Sequence, residues 1–479
     1  MAELTPMLRQ YKEIKAQYSD SILFFRLGDF YEMFFDDARI ASRILGIALT
    51  SRGSHNGEKV PMCGVPYHAA RSYIGKLINS GFKVAICEQV EDPKKSRGIV
   101  KREVTRVVTP GSVIDEAEVD EKSNLYVAAI FSGKNQGDVY GLSFMDLSTG
   151  DFRFTEVLSQ EELINELARI DPAELLVLHN DPLINASFMD KYRKELIHDP
   201  MELETAESLL KKQFGVYSLQ GFGCHEMPCA TMAAGIIIHY MRNTQKGFPA
   251  HIKEIRPYRI GEYMFLDEAT CSHLELLRSM RRNDSHGSLF YTLNRTLTPM
   301  GSRTLKRWIM YPLISLKKIK KRLSAVQELK DNLIMRKKLR NILKDIYDIE
   351  RLNGKISLGR ANPKDLIALK ESIKNIPYVK DVLGNSTSLF VLDLIKQLDD
   401  LQDIREIIEM AINEDPPVSL KDGGIIKEGY NDKLDELIRI SRDGKGWIAE
   451  FVSREQKRTG INNLKVGFNK VFGYYIEVS

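Results

Sequence analysis

Hydrophobic positions change period several times along the first hundred residues. Ser21 to Phe25, Lys83 to Glu88 and Glu103 to Val108 are strand-like runs, whereas Ser72 to Gly81 has helical spacing. A mixed α/β domain over residues 1–115 follows from that alternation. Behind the first run, Arg26-Leu27-Gly28-Asp29-Phe30-Tyr31-Glu32 reads as a strand end, a turn and the start of a helix. Gly28 supplies a permissive backbone and Asp29 a capping oxygen. Tyr31, Phe34, Phe35, Ala38, Ala41, Ser42 and Leu45 then recur at a period of 3.6, which predicts a helix beginning just after Asp29. Phe30 falls on the flank of that stripe, so periodicity alone neither buries nor frees it. Phe30 and Glu32 are the candidates for display outward from the turn.

Residues 112–124 hold five acids and no aromatic, and 116–124 are read as a linker. In 125–250, strands are expected at Leu125 to Phe131, Val139 to Asp146, Phe152 to Val157 and Leu175 to Leu178. Ser148-Thr149-Gly150-Asp151 reads as a hairpin turn, and helices are expected near Gln160 to Ile170 and Cys229 to Arg242. Residues 251–430 turn helical: Ile319, Leu323, Val326, Leu329 and Leu333 mark one stripe, and Leu389 to Ile412 reads as one long helix ended by Asp415-Pro416-Pro417. In 431–479 a helix is expected over Leu434 to Phe451. A hairpin follows over Asn463 to Val478, with Gly467 and Gly473 near its turns. The fold class is thus multidomain, α/β followed by α, with a closing β-hairpin.

The net charge of +4 conceals a division. Residues 1–115 carry 17 Lys and Arg against 13 Asp and Glu, residues 116–250 carry 11 against 21, and residues 251–479 carry 41 against 31. Basic outer parts flank an acidic middle, so the ends are expected to meet a polyanion and the middle is not. Lys94, Lys95, Arg97, Lys101, Arg102 and Arg106 cluster on one Gly-interrupted stretch, where a solvated loop and phosphate contact are the competing readings. Arg52 beside Gly53 is a further candidate for phosphate contact on the backbone of such a polyanion. No apolar span has the length of a membrane helix, and the first residues lack signal-peptide character, which predicts a cytoplasmic protein. Cys63, Cys87, Cys224, Cys229 and Cys271 are scattered and show no Cys-x-x-Cys spacing, so buried thiols are expected and no metal. Trp308 reads as a packing residue.

Several strings then occur in order: Leu49-Thr50-Ser51-Arg52-Gly53, Val60-Pro61-Met62-Cys63-Gly64-Val65-Pro66-Tyr67-His68-Ala69, Ala85-Ile86-Cys87-Glu88-Gln89, Arg106-Val107-Val108-Thr109-Pro110-Gly111, Leu297-Thr298-Pro299-Met300-Gly301-Ser302-Arg303 and Leu464 to Ile476. Together with Gly-Asp-Phe-Tyr-Glu they closely resemble the bacterial MutS family of DNA mismatch repair sensors. The resemblance implies a mismatch-recognition domain (1–115), an RNase H-like connector (125–250), a helical core and lever (251–430) and the start of a clamp (431–479). It also implies roles. Phe30 stacks on a mispaired base, Glu32 hydrogen-bonds it, and Lys465, Asn469 and Lys470 of the clamp hold phosphates. An apolar wedge that unstacks a base step discriminates by how easily the duplex deforms. A carboxylate beside phosphates is repelled unless it makes a particular hydrogen bond, which sets Glu32 apart from an ordinary surface acid.

Expected partners are duplex DNA with mismatches or small loops, the repair protein MutL, and a second copy in a full-length homodimer, in a nucleoid-associated setting. The family is an ATPase, for which ATP and magnesium are expected. No Gly-x-x-x-x-Gly-Lys-Ser/Thr occurs in this sequence, so the chain reads as a fragment without ATPase activity and with no cofactor of its own. Two alternatives compete with mismatch sensing: DNA binding without mismatch preference, and binding of recombination intermediates. A third, nuclease chemistry, rests on Asp146 at a strand end, but a two-metal site requires several converging carboxylates.

Overall fold

In the computed structural model, which describes residues 5–55, 58–91, 99–113, 120–133, 138–282, 284–442, 444–469 and 473–478, the apolar run at Ser21–Leu27 (β1) is an inner strand of a six-stranded sheet. The other strands are β2 (Phe30–Phe34), β3 (Thr50–His55), β4 (Glu58–Pro66), β5 (Lys83–Gln89) and β6 (Arg102–Val108), in the order β3-β4-β2-β1-β5-β6. The first five residues of β1 are buried, and Ile22 to Phe25 are apolar without alternation, because both its faces are covered. Ile22 and Phe24 pack with α2 (Phe35–Leu45) and α3 (Ala70–Asn79), and Leu23 and Phe25 with α1 (Pro6–Gln17). Buried Asp37 ties α1 to the sheet: it accepts from Tyr11 Oη at 2.8 Å and from the Leu23 N–H at 3.0 Å, and pairs with Lys15 at 2.9 Å.

The predicted helix start is corrected here. Phe30–Phe34 is a strand, antiparallel to β1 with Leu27 opposite Phe30, and the helix begins only at Phe35. The physical reason is the Gly-Asp pair between two β-forming runs, a two-residue hairpin turn in which Gly28 takes φ +58°. Tyr31 and Phe34 therefore obey a period of two, Tyr31 facing α2 and α3 and Phe34 facing α1.

The second body is also a six-stranded sheet, of β7 (Val127–Ser132), β8 (Tyr140–Asp146), β9 (Asp151–Val157), β10 (Glu174–Leu178), β11 (Lys194–Ile197) and β12 (Arg256–Pro257), in the order β11-β10-β7-β8-β9-β12. α4 (Gln160–Ile170) covers one face, and α5 (Leu203–Phe214) with α6 (Pro228–Gln245) the other. α6 lies close on the sheet: a Cβ on Gly141 would sit 2.0 Å from the Cys229 carbonyl oxygen. The 148–151 turn is present, with Gly150 at φ +80° and Asp146 opposite Asp151.

The two sheets meet through the segment after β6. Ser112 and Val113 are buried. Glu174 accepts from Thr109 Oγ1 at 2.7 Å and from the Gly111 N–H at 3.1 Å, and Lys83 pairs with Glu195. Farther on, Arg351 donates to the carbonyls of Asp120 and Ser123, and Arg303 to that of Glu121. The described part of the acidic stretch is thus held at the backbone by two arginines.

Beyond Leu266 the chain is helical until its last hairpin: α7 (Glu268–His273), α8 (Leu289–Leu293), α9 (Pro299–Met310), α10 (Leu316–Asp331), α11 (Leu333–Leu343), α12 (Ile349–Ser357), α13 (Pro363–Lys374), α14 (Ile376–Leu383), α15 (Leu389–Gln397), α16 (Gln402–Ala411), α17 (Asp432–Arg442) and α18 (Gly444–Thr459). Two expectations are corrected. The long helix at 389–412 is two helices, broken where Leu401 takes φ +47° and where Asp400 is drawn to Lys380 of α14 at 2.7 Å. The helix expected over Leu434 to Phe451 is present as α17 and α18, on either side of residue 443, which lies outside the described residues. On α10 the stripe reading fails, because Leu323 and Val326 are each 58% exposed and Ala325 is the buried residue.

The chain divides into two compact units, residues 1–361 with 371–400, and residues 362–370 with 401–479. In the second unit Ile408, Ala411 and Ile412 are buried, Lys370 pairs with Glu409 at 3.4 Å, and β13 (Leu464–Asn469) and β14 (Gly473–Val478) form an antiparallel hairpin. Gly467 is not at its turn. It lies opposite Tyr475, whose ring leaves no room for a Cβ.

All five cysteines are free thiols, and Cys271 alone is not fully buried. Burial pushes Cys63, Cys224 and Cys229 up to about 11 and Cys87 to about 12, so none is a reactive thiolate near neutral pH.

Candidate nucleic-acid interface

The β1–β2 hairpin tip is built from residues that hold each other. Gly28 makes the turn, its carbonyl accepts from Arg26 Nε at 2.5 Å, and the Asp29 carbonyl accepts from the Tyr67 N–H at 2.9 Å. The Arg26 guanidinium lies 3.8 Å from the Tyr67 ring centroid and 5.5 Å from that of Tyr31. Tyr31 Oη donates to Glu88, and burial followed by that bond raises its pKa well above the ordinary tyrosine range. Arg26 and Tyr67 were not among the expected site residues, although both stand inside the strings singled out above.

This frame displays Phe30. The strand period places Phe30, Glu32 and Phe34 on one face of the sheet. α1 covers that face at Phe34, through an edge-on contact of Tyr11 with its ring, but leaves Phe30 47% exposed. Glu32 is opposite Gly64 on β4, which carries no side chain to crowd it, and Arg52 Nη1 reaches both its carboxylate oxygens at 2.8 Å. Arg52 stands where β3 is bulged, with Gly53 at φ +75°; its side chain is 51% exposed and that of Glu32 13%. The structure therefore brings Phe30, Glu32 and Arg52 together.

The remaining candidates are placed differently. Arg106 is half-buried on β6, at the opposite edge of the sheet from Arg52. Its neighbour Arg102 is a core residue, donating to the Arg26 carbonyl at 2.7 Å and to Gln10 at 3.0 Å, and Lys101 pairs with Glu103. Lys465 is exposed on β13 opposite Glu477. Lys94, Lys95 and Lys470 lie outside the described residues, as does the side chain of Asn469.

Asp146, the residue behind the nuclease alternative, is engaged by the chain itself. Its Oδ1 accepts from the Ser148 N–H and hydroxyl at 2.9 and 2.7 Å, and its Oδ2 from Asn124 and the Leu125 N–H at 2.8 and 3.3 Å. With both oxygens engaged by the chain, it pins the start of the second body. Among the described residues no group of three His, Cys, Asp or Glu could hold a metal ion.

Three family models match consecutive parts of the chain: MutS domain I over residues 5–117, MutS domain II over 125–255 and MutS domain III over 269–467. The chain belongs to the MutS family. Relatives named DNA mismatch repair protein MutS align along its whole length, at 46% identity in Alkaliphilus oremlandii, 48% in Acetivibrio thermocellus and 45% in Halothermothrix orenii. The chain spans about half the length of these MutS relatives: 55% of the first two and 54% of the third. No helix among the described residues is long and apolar enough to cross a membrane.

Proposed function

We propose that this MutS chain recognises mispaired or looped duplex DNA. The observation that carries the reading is Phe30, an exposed aromatic ring at a rigid hairpin tip, with a carboxylate two residues on along the same face. Phe30 enters the minor groove as a wedge and opens a base step, at a cost of a few kcal/mol that is smaller where the step is already mispaired. Stacking of the displaced base on the ring offsets about 1–3 kcal/mol of that cost. Glu32 hydrogen-bonds the displaced base. Arg52 holds Glu32 in place and offsets its charge while the protein is free; against DNA the half-exposed guanidinium is free to turn to a phosphate.

Lys94, Lys95, Arg106, Lys465, Asn469 and Lys470 hold the backbone without reading sequence. The acidic segment 116–250 is repelled by DNA and docks the repair protein MutL. Homodimerisation and nucleotide chemistry with ATP and magnesium belong to the longer form of the family.

The test is equilibrium binding of a G·T or single-base-loop duplex and of its paired twin, at stated salt, by this chain and by Phe30→Ala. Lesion preference that disappears in the variant while salt-sensitive background binding remains supports the wedge. Equal binding of both duplexes by both proteins leaves DNA binding without mismatch preference as the reading.

A further inference from the structure

Arg26 is the one charged residue of β1, and its side chain is only 14% exposed although it stands two residues before the turn. It lies opposite Tyr31 in the β1–β2 pairing, so both side chains are on the face of the sheet turned away from Phe30. Its Nε donates to the Gly28 carbonyl, its guanidinium lies against the Tyr67 and Tyr31 rings, and its Nη1 is 3.9 Å from Glu88 Oε2, the acid to which Tyr31 Oη also donates. The Arg26 carbonyl in turn accepts from Arg102 Nε, so backbone and side chain are both engaged.

The turn above them is open: a Cβ on Gly28 would meet no heavy atom within 4 Å. Two bonds reach its carbonyls from beneath, Arg26 Nε to Gly28 and the Tyr67 N–H to Asp29. The residue that gives the second bond is the one whose ring receives the guanidinium, so Arg26 and Tyr67 form a single brace under the tip. A cation over an aromatic face is held by the ring quadrupole, and a hydrogen bond from a charged donor is stronger than one from a neutral donor. Only a flat, forked group does both at once; lysine offers a point charge. A wedge reads the deformability of a duplex only if it yields less than the duplex does.

We propose that Arg26, braced on Tyr67, is a positioning residue for lesion discrimination: from the far face of the sheet it fixes the turn that presents Phe30, and so sets how well mispaired steps are told from paired ones. This rests on the mismatch reading of Phe30 given above. Arg26 acts through the hairpin and not on the DNA, because it lies on the side of the sheet away from Phe30. A tip released from the brace gives way at paired and mispaired steps alike, and the difference between them shrinks while attraction to the phosphates remains.

The test joins duplex binding to hydrogen exchange on the intact 479-residue chain, well below the thermal midpoint of every variant. Arg26→Met and Tyr67→Leu should each lower the ratio of lesion to paired affinity roughly fivefold, and the double variant should be no worse than the poorer single, as for two residues acting as one unit. Arg26→Lys keeps the charge and should still lower the ratio roughly threefold. Arg39→Met, which removes an exposed cation of α2, should leave it unchanged. In Arg26→Met, exchange in a peptide covering residues 62–69 should quicken about tenfold while one covering 83–89 on β5 keeps the parent's protection, because a local opening spares the inner strands. A parental ratio in Arg26→Met or Arg26→Lys, losses that multiply in the double variant, or exchange that quickens equally in both peptides would each overturn the proposal. If the parent itself shows no lesion preference, the mismatch reading fails, and exchange alone decides the brace: quickening confined to 62–69 keeps it, and unchanged exchange overturns it.

Discussion

Glu32 and Glu174 are both glutamates on inner strands of six-stranded sheets, and their surroundings give them opposite characters. Glu32 sits near a hairpin tip in reach of solvent, held by the one half-exposed guanidinium of Arg52. Glu174 is wholly enclosed, met by a hydroxyl and a backbone N–H from the first domain, with the Tyr240 hydroxyl at 3.4 Å. Burial raises the Glu174 pKa to about 7; the bonds from Thr109 and Gly111 pull the other way without overcoming it. One carboxylate is left within reach of solvent, and the other closes a joint between two domains. The residue type is the same, and the number of enclosing neighbours decides.

The largest expected effect breaks the comparison at Glu174. Because its folded pKa lies above the ordinary glutamate value, its contribution to stability is complete below about pH 4.5 and is lost as pH rises through about 7. A shift of that size corresponds to roughly 3 kcal/mol. Glu174→Gln, which keeps an acceptor for Gly111 and carries no charge, should match the parent in thermal unfolding at pH 5 and exceed it at pH 8. Equal midpoints for parent and variant at both pH values would show that the joint does not titrate.

Next comes Phe30. Its truncation should remove about 1–3 kcal/mol of lesion preference, roughly tenfold to a hundredfold in the ratio of the two affinities, with little change in unfolding because the ring is exposed. Competition binding with paired and mispaired duplexes reads the first, and a melting curve the second.

Arg52 sharpens the comparison on the Glu32 side. If it turns to one phosphate, Arg52→Ala should weaken paired and mispaired duplexes alike and flatten the slope of log affinity against log salt by about 0.9. A salt titration with an unchanged slope would confine Arg52 to its ion pair. The smallest effect belongs to Glu32→Gln, which should alter stability by less than about 1 kcal/mol, since it breaks a surface pair. Its thermal midpoint set beside that of Glu174→Gln at pH 8 measures the contrast directly.

Much of the architecture was legible along the chain, because local periods and turn residues need no distant partner. The strands at 21, 83, 103, 140, 152 and 175 begin within a few residues of their expected places, and the helix over Gln160 to Ile170 has the expected bounds. The failures share a cause. Phe30–Phe34 reads as helical along the chain because Tyr31, Phe34 and Ala38 also satisfy a helical spacing, and only pairing with β1 and β4 selects the period of two. The helix at 389–412 is interrupted where an acid finds a lysine on another helix.

The sequence by itself determined the order of the domains' elements, the basic and acidic division, the buried character of the thiols and the string that carries Phe30 and Glu32, since each depends on composition or on neighbours a few residues apart. Tertiary structure alone decided that Arg52 meets Glu32, 20 positions away along the chain, and that Asp146 is filled by Asn124, Leu125 and Ser148. The reason is that charge and hydrogen-bond satisfaction are settled at a few ångströms in space, between groups the chain brings together only by folding.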